Sequence, residues 1–177
     1  MSQHVVDRDE AAAVYAAAVN DAHTPANGAP PALTDLYRRE RAGMVRLAHL
    51  MCGSNETACD IVHEAFIRLQ RNWSTATDPR AYLRQIVVNL CRAHHRRSAV
   101  ERRHTSVASV PPMYLAPEMD ETWHALATLS PKRRVALVLR YYEDLSIEDV
   151  AKVMGCRVGT AKSLIHRGLA SLRQELQ

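Results

Sequence analysis

Two sets of side chains in this 177-residue sequence have the types and spacing for chemistry on a polyanion. The first lies in "MGCRVGTAKSLIHRGLASLR", Met154 to Arg173. Winding it at about 100° per residue gathers Val158, Ala161, Ile165, Leu169 and Leu172 on one side, with Thr160, Ser163, His166 and Arg167 opposite. Hydroxyls bond base edges or phosphates, and arginine bonds guanine bidentately. Lys162 falls nearer the apolar edge, which suits a phosphate or peripheral base contact through its long stem, and Arg157 suits a backbone phosphate. The second set is Arg84, Gln85, Asn89, Arg92 and Arg96, opposite the apolar Tyr82, Leu83, Ile86, Val87 and Leu90, with Trp73 just upstream. Arginines neutralise phosphates, while an asparagine and an indole suit unpaired bases by hydrogen bonding and stacking. A solvated basic face explains either set alone; two along one chain favour nucleic acid.

Other chemistries fit less well. His49, Cys52, Cys59 and His63 are zinc-ligand types at i, i+3 and i, i+4 on two consecutive helical patterns, the basis for a rival reading as a metal or redox sensor. Neither pair has zinc-finger spacing, so no metal site and no cofactor is assigned. No glycine-rich phosphate loop or nucleophile elbow places a catalytic group, and the expectation is a non-enzyme. Four scattered cysteines suit reduced thiols in the cytoplasm. No secretory leader or run of about twenty apolar residues is present, so no membrane insertion is expected.

The elements that must position these groups are helical. Composition, at 47% hydrophobic and 5% aromatic, suits small helical bundles. From Thr34, Leu36, Met44, Leu47 and Met51 recur at helical spacing up to Gly53; Ser54 then opens a helix with Ala58, Ile61, Val62, Ala65, Phe66 and Leu69 on one face. Asp78 and Pro79 start the arginine-rich helix. After Arg103, "HTSVASVPPMYLAPEM" reads as a flexible tether. Helical pattern resumes at Met119, and again with Ser130 as cap, Pro131 in the first turn and Val135, Val138, Leu139 and Tyr142 in phase. Ser146 to Asp149 resembles a capping box, and Gly155 supplies a left-handed stop before the second helix of a helix-turn-helix. The reading is all-α: a mobile or weakly helical extension at 1–32, a first domain at 33–103, a linker at 104–119 and a helix-turn-helix domain at 120–177. Apolar Val14, Tyr15, Ala18 and Val19 give the extension a face able to dock on the first domain or on a regulator.

In this order and spacing, "TACDIVHEAFIRLQRNW", "DPRAYLRQIVVNLCRAHHRR" and "YYEDLSIEDVAKVMGCRVGTAKSLIHRGLASLR" resemble regions 2.2, 2.3 to 2.4 and 4.2 of bacterial RNA polymerase sigma factors of the extracytoplasmic-function type. The resemblance implies a transcription initiation factor whose first domain grips the polymerase clamp helices and opens the minus-ten element, and whose second binds the minus-thirty-five element. Its implied partners are core RNA polymerase, through clamp helices and flap, promoter DNA and, for some members, an anti-sigma factor. Asp60, His63 and Glu64 fall in the clamp-binding segment. Asn89 matches an asparagine that captures a flipped minus-ten base, residues 72–78 match the specificity loop, and Lys162, Ser163, His166 and Arg167 match minus-thirty-five contacts. Cys59, His63, Ala93 and His95 depart from the usual glutamate, glutamine, aspartate and leucine. The competing reading is a stand-alone helix-turn-helix regulator that binds duplex DNA without polymerase.

Overall fold

The computed structural model describes residues 31–104 and 117–175. Most of the extension at 1–32, with its proposed docking face, and most of the linker at 104–119 lie outside them. Helix α1 (Pro31–Cys52) begins ahead of Thr34, because proline is tolerated in a first turn and brings Leu33 into the core. Gly53, at φ 78°, ends it by donating its N–H to the His49 carbonyl at 2.7 Å. Ser54 caps α2 (Asn55–Arg71), its Oγ accepting the Thr57 N–H at 3.2 Å. A 3-10 turn at Trp73–Thr75 leads to Asp78, whose carboxylate accepts the Ala81 N–H at 3.0 Å and starts α3 (Pro79–His104). These three helices pack mutually through Met44, Leu47, Met51, Val62, Leu69, Leu83 and Val87.

The C-terminal half holds α4 (Pro117–Ala127), α5 (Pro131–Leu137), α6 (Ile147–Met154) and α7 (Val158–Glu175). Pro131 starts α5 as expected, but the Ser130 side chain makes no cap bond; its carbonyl instead accepts the Arg134 N–H at 3.0 Å. The helix predicted to run on to Tyr142 widens into a π turn at Val138–Tyr142. Ser146 Oγ accepts the Asp149 N–H at 3.1 Å and donates to the Asp149 carboxylate at 2.7 Å, which caps α6. Gly155, at φ 59°, receives its end: the Cys156 N–H reaches the Ala151 carbonyl and the Gly155 N–H that of Lys152, a Schellman ending. The helix-turn-helix is α6 and α7, which pack on each other, with α7 also packed on α5; Ala151, Ala161 and Ile165 are buried there. Val158, expected on the buried side, is the first residue of α7 and is 45% exposed, whereas Ala161 one turn on is fully buried.

The two helical domains lie against one another and share one continuous apolar cluster. Helix α3 therefore has two covered faces, where its sequence suggested one. Val88, on the side read as basic and outward, is 0% exposed. Among the described residues there is no strand, and no helix is long and apolar enough to cross a membrane.

Candidate nucleic-acid and polymerase interface

The predicted minus-ten set is divided by the packing of α3. Gln85 and Asn89 are exposed and line a groove of about 370 Å³ with Arg68, Arg71, Asn72, Tyr82 and Ile86, where α2, the following loop and α3 converge. Amides beside arginines and a tyrosine can bond a base edge and stack its face. Asn72 is fixed there by donating its side-chain amide to the Arg68 carbonyl at 2.9 Å. Trp73 is half-buried against the core and does not line this groove.

Arg84 and Arg92 turn the other way. Arg84 Nε lies 2.6 Å from a Glu143 carboxylate oxygen, with the side chains only 11% and 8% exposed. Arg92 Nη1 donates to the Met154 carbonyl at 2.7 Å, at the C-terminal, electronegative end of α6. Two of the three arginines expected on the minus-ten element are thus engaged by the C-terminal half. Arg96 is exposed and borders an interdomain cleft of about 520 Å³, lined also by Arg92, His95, Lys132, Val135 and Met154.

On the helix-turn-helix, Arg157, Thr160, Lys162, His166 and Arg167 are all exposed. Lys162 is exposed, although the helical wheel set it nearer the apolar edge, and Ser163 is half-buried. On α2, Asp60 and His63 are exposed beside a small hollow of about 110 Å³ formed with Tyr37, Arg41 and Cys59. Glu64 is half-buried and accepts from Arg68 Nε at 2.7 Å, a bond that lowers its carboxyl pKa.

The zinc-type residues do not assemble into a site. Among the described residues no group of three or more His, Cys, Asp or Glu is placed to hold a metal. His49 is buried, its ring 5.9 Å from that of Trp123. Cys52 faces Cys91, whose thiol pKa is held well above its ordinary value by its hydrogen bond to Cys52 and by burial. Cys59 is raised by burial despite Arg41.

Arg134 went unnoticed in the sequence, where it is one of several bases after Ser130. It is 7% exposed and spans the two halves. Its guanidinium donates to the carbonyls of Leu126 at 2.9 Å, Met51 at 3.0 Å, Ala127 at 3.1 Å and Leu129 at 3.2 Å, and lies 4.4 Å from the Trp123 ring centre. Burial pulls its pKa down. Only the Pro131 start signal, which predicts the helix that carries it, gave a hint.

Residues 36–100 match the profile of "Sigma-70 region 2" and residues 119–172 that of "Sigma-70, region 4". The chain belongs to the sigma-70 family. It is 33% identical over 149 residues to the "RNA polymerase sigma-E factor" of Streptomyces coelicolor, covering 80% of this chain and 84% of that protein. It is 32% identical to the "ECF RNA polymerase sigma factor SigE" of Mycolicibacterium smegmatis, covering 90% of this chain and 66% of that one. Its fold is shared with the Bartonella quintana sigma factor RpoE, solved with the anti-sigma factor NepR, at TM-score 0.64 and 23% identity over 80% of this chain and 96% of that one. CnrH, solved with the cytosolic domain of CnrY, superposes at TM-score 0.62 and 22% identity over 94% and 97%. This sigma factor is therefore a transcription initiation factor of the extracytoplasmic-function type.

Proposed function

We propose that the chain acts in the cytoplasm, binding core RNA polymerase through the α2 face that carries Asp60, His63 and Glu64 and engaging a promoter at two places. The working units are residues 33–103 and 120–177, joined by 104–119. Arg157, Thr160, Lys162, Ser163, His166 and Arg167 meet the minus-thirty-five element in the major groove. Gln85, Asn89 and Asn72 receive an unstacked minus-ten base, with Trp73, Arg84, Arg92 and Arg96 serving the adjoining strand. Melting is non-covalent: unstacking a base costs a few kcal/mol, and the groove must return that free energy in contacts.

The observation that carries this reading is the open groove holding Asn72, Gln85 and Asn89 on one domain, with an exposed basic helix-turn-helix face on the other. Arg84 and Arg92 reach DNA only when the two halves separate, so the reading includes an opened state on the polymerase. Purified chain with core polymerase on genomic promoter fragments tests it: promoter-specific run-off transcripts are expected, and an Asn89→Ala chain should bind duplex normally but form open complexes poorly. Unchanged open-complex formation by Asn89→Ala would remove the base-capture role.

A further inference from the structure

Two thiols that the promoter reading does not use lie where α1 ends against α3. Cys52, half-buried, is the last residue of α1, and Cys91, buried, faces it from α3. One carbonyl fixes this meeting point. Met51, next to Cys52, accepts from His95 Nε2 at 2.9 Å and from Arg134 Nη1 at 3.0 Å, and His95 stands one helical turn beyond Cys91. The end of α1 is therefore pinned against the turn of α3 that carries Cys91, and the two sulfurs are hydrogen-bonded. That bond, ahead of burial, raises the Cys91 pKa, so it favours the protonated form: the Cys91 S–H donates and the Cys52 sulfur accepts. A cation stands beside the acceptor, since Arg134, lowered by burial, is raised in part by charge on Cys52.

A thiol that reacts with peroxide does so as thiolate, beside a cation and within reach of solvent, with a second thiol poised to close the disulfide. Cys52 has the solvent access and the guanidinium, while Cys91 is buried and keeps its proton. Cys59, also half-buried, has Arg41 and Asp60 beside it rather than a thiol. We propose that Cys52 and Cys91 are a site of reversible oxidation by hydroperoxides, with Cys52 attacking and Cys91 resolving, and that the disulfide clasps the end of α1 to α3. In the first step the Cys52 sulfur attacks the peroxide: an S–O bond forms, the O–O bond breaks, and the leaving oxygen takes the proton given up by Cys52. Cys52 is then a sulfenic acid. Cys91 attacks that sulfur next: an S–S bond forms, the S–O bond breaks, and the Cys91 proton leaves with the hydroxyl as water. Two thiols and one hydroperoxide give one disulfide, one alcohol and one water, and two electrons pass from sulfur to the peroxide.

The test uses the full chain, reduced, then treated with hydrogen peroxide without denaturant, alkylated, and read by intact mass and peptide mapping. The wild type should lose two hydrogens and yield a peptide joined through Cys52 and Cys91, with Cys59 and Cys156 alkylated. A thiol reductant should restore the starting mass. The bond closes residues 52–91 into a loop in the unfolded chain, so the melting temperature should rise by about 5 °C or more. Cys91→Ser should stop at a sulfenic acid on Cys52, captured by a cyclic dione probe. Cys52→Ser should leave the buried Cys91 slower to oxidise by about tenfold or more. Circular dichroism checks that both variants are folded, and the wild-type map stands without them. A wild type that forms no bond between Cys52 and Cys91, or that pairs Cys59 or Cys156 as readily, overturns the proposal. Equal oxidation of Cys52 and Cys91 in the single variants overturns the assigned order, and a bond that lowers the melting temperature overturns the clasp. None of these readouts involves polymerase or DNA, so the outcome is independent of the promoter reading.

Discussion

Replacing Arg134 by methionine keeps much of the side chain's length and removes its five donors. In the folded chain that guanidinium serves four carbonyls. Two keep another partner, because Met51 also accepts from His95 Nε2 at 2.9 Å and Leu126 from the Leu129 N–H at 3.1 Å. The buried Leu129 carbonyl loses the guanidinium at about 1–3 kcal/mol, and the Ala127 carbonyl, on an exposed residue that water can reach, at about 0.5–1.5 kcal/mol. The stacking of Arg134 over Trp123 adds about 0.5–2 kcal/mol. Against this, the methionine no longer has to bury a charge, a relief that in some proteins cancels the loss. We expect a net destabilisation of about 2–4 kcal/mol, a large part of the ~5–15 kcal/mol of an ordinary domain. Urea denaturation followed by helical circular dichroism reads it directly, and the melting temperature should fall by about 5–15 °C. Arg134→Lys should restore little of this, since one ammonium cannot span four carbonyls arranged around a planar fork. A methionine variant within about 0.5 kcal/mol of the wild type, or above it, would refute the reasoning by showing that desolvation outweighs the bonds.

Ser146→Ala should cost about 1 kcal/mol through loss of the α6 cap, read by the same denaturation. The Asp149 carboxyl pKa is lowered first by the Ser146 hydroxyl and then by Lys152, so its contribution is present above the ordinary aspartate value of about 3.9 and is lost as pH falls through the lower folded value. The gap between wild type and Ser146→Ala should therefore narrow on acidification below about pH 4; a gap that widens would contradict the assignment. On a cognate promoter, Arg167→Ala should weaken minus-thirty-five binding by about 1–3 kcal/mol with relaxed specificity if it reads a base, and competition with mutated duplexes separates this from a uniform phosphate loss. Lys162→Ala should reduce affinity for all duplexes and flatten the salt slope by about one, and a loss confined to one sequence would make Lys162 a base reader instead.

Much of the fold is legible in the sequence. Ser54, Asp78, Ser146 and Gly155 mark helix ends by local chemistry, and the structure places each cap or stop where its neighbours imply. The apolar face of α2 follows from helical spacing, since Ala58, Ile61, Val62, Ala65, Phe66 and Leu69 are all buried, and that of α7 does so from Ala161 onward but not at Val158. What failed to show was the contact between the halves. A helix read alone presents one apolar stripe and one polar face, and nothing in Arg84, Val88 and Arg92 announces a second covering surface. Glu143 and Arg134 are likewise ordinary charges in sequence, and their pairing depends on residues 59 and 83 positions away. Sequence periodicity thus identified which groups suit nucleic acid, while their availability was decided by tertiary contacts.

The central claim is that this sigma factor directs core RNA polymerase to promoters and opens them. Transcription reconstituted from purified chain, core polymerase and genomic promoter fragments measures it most directly. Discrete transcripts are expected only with both proteins present, and they should weaken selectively when Asn89 is replaced. A chain that binds specific duplex DNA equally well without polymerase, and never joins the core enzyme, would contradict it.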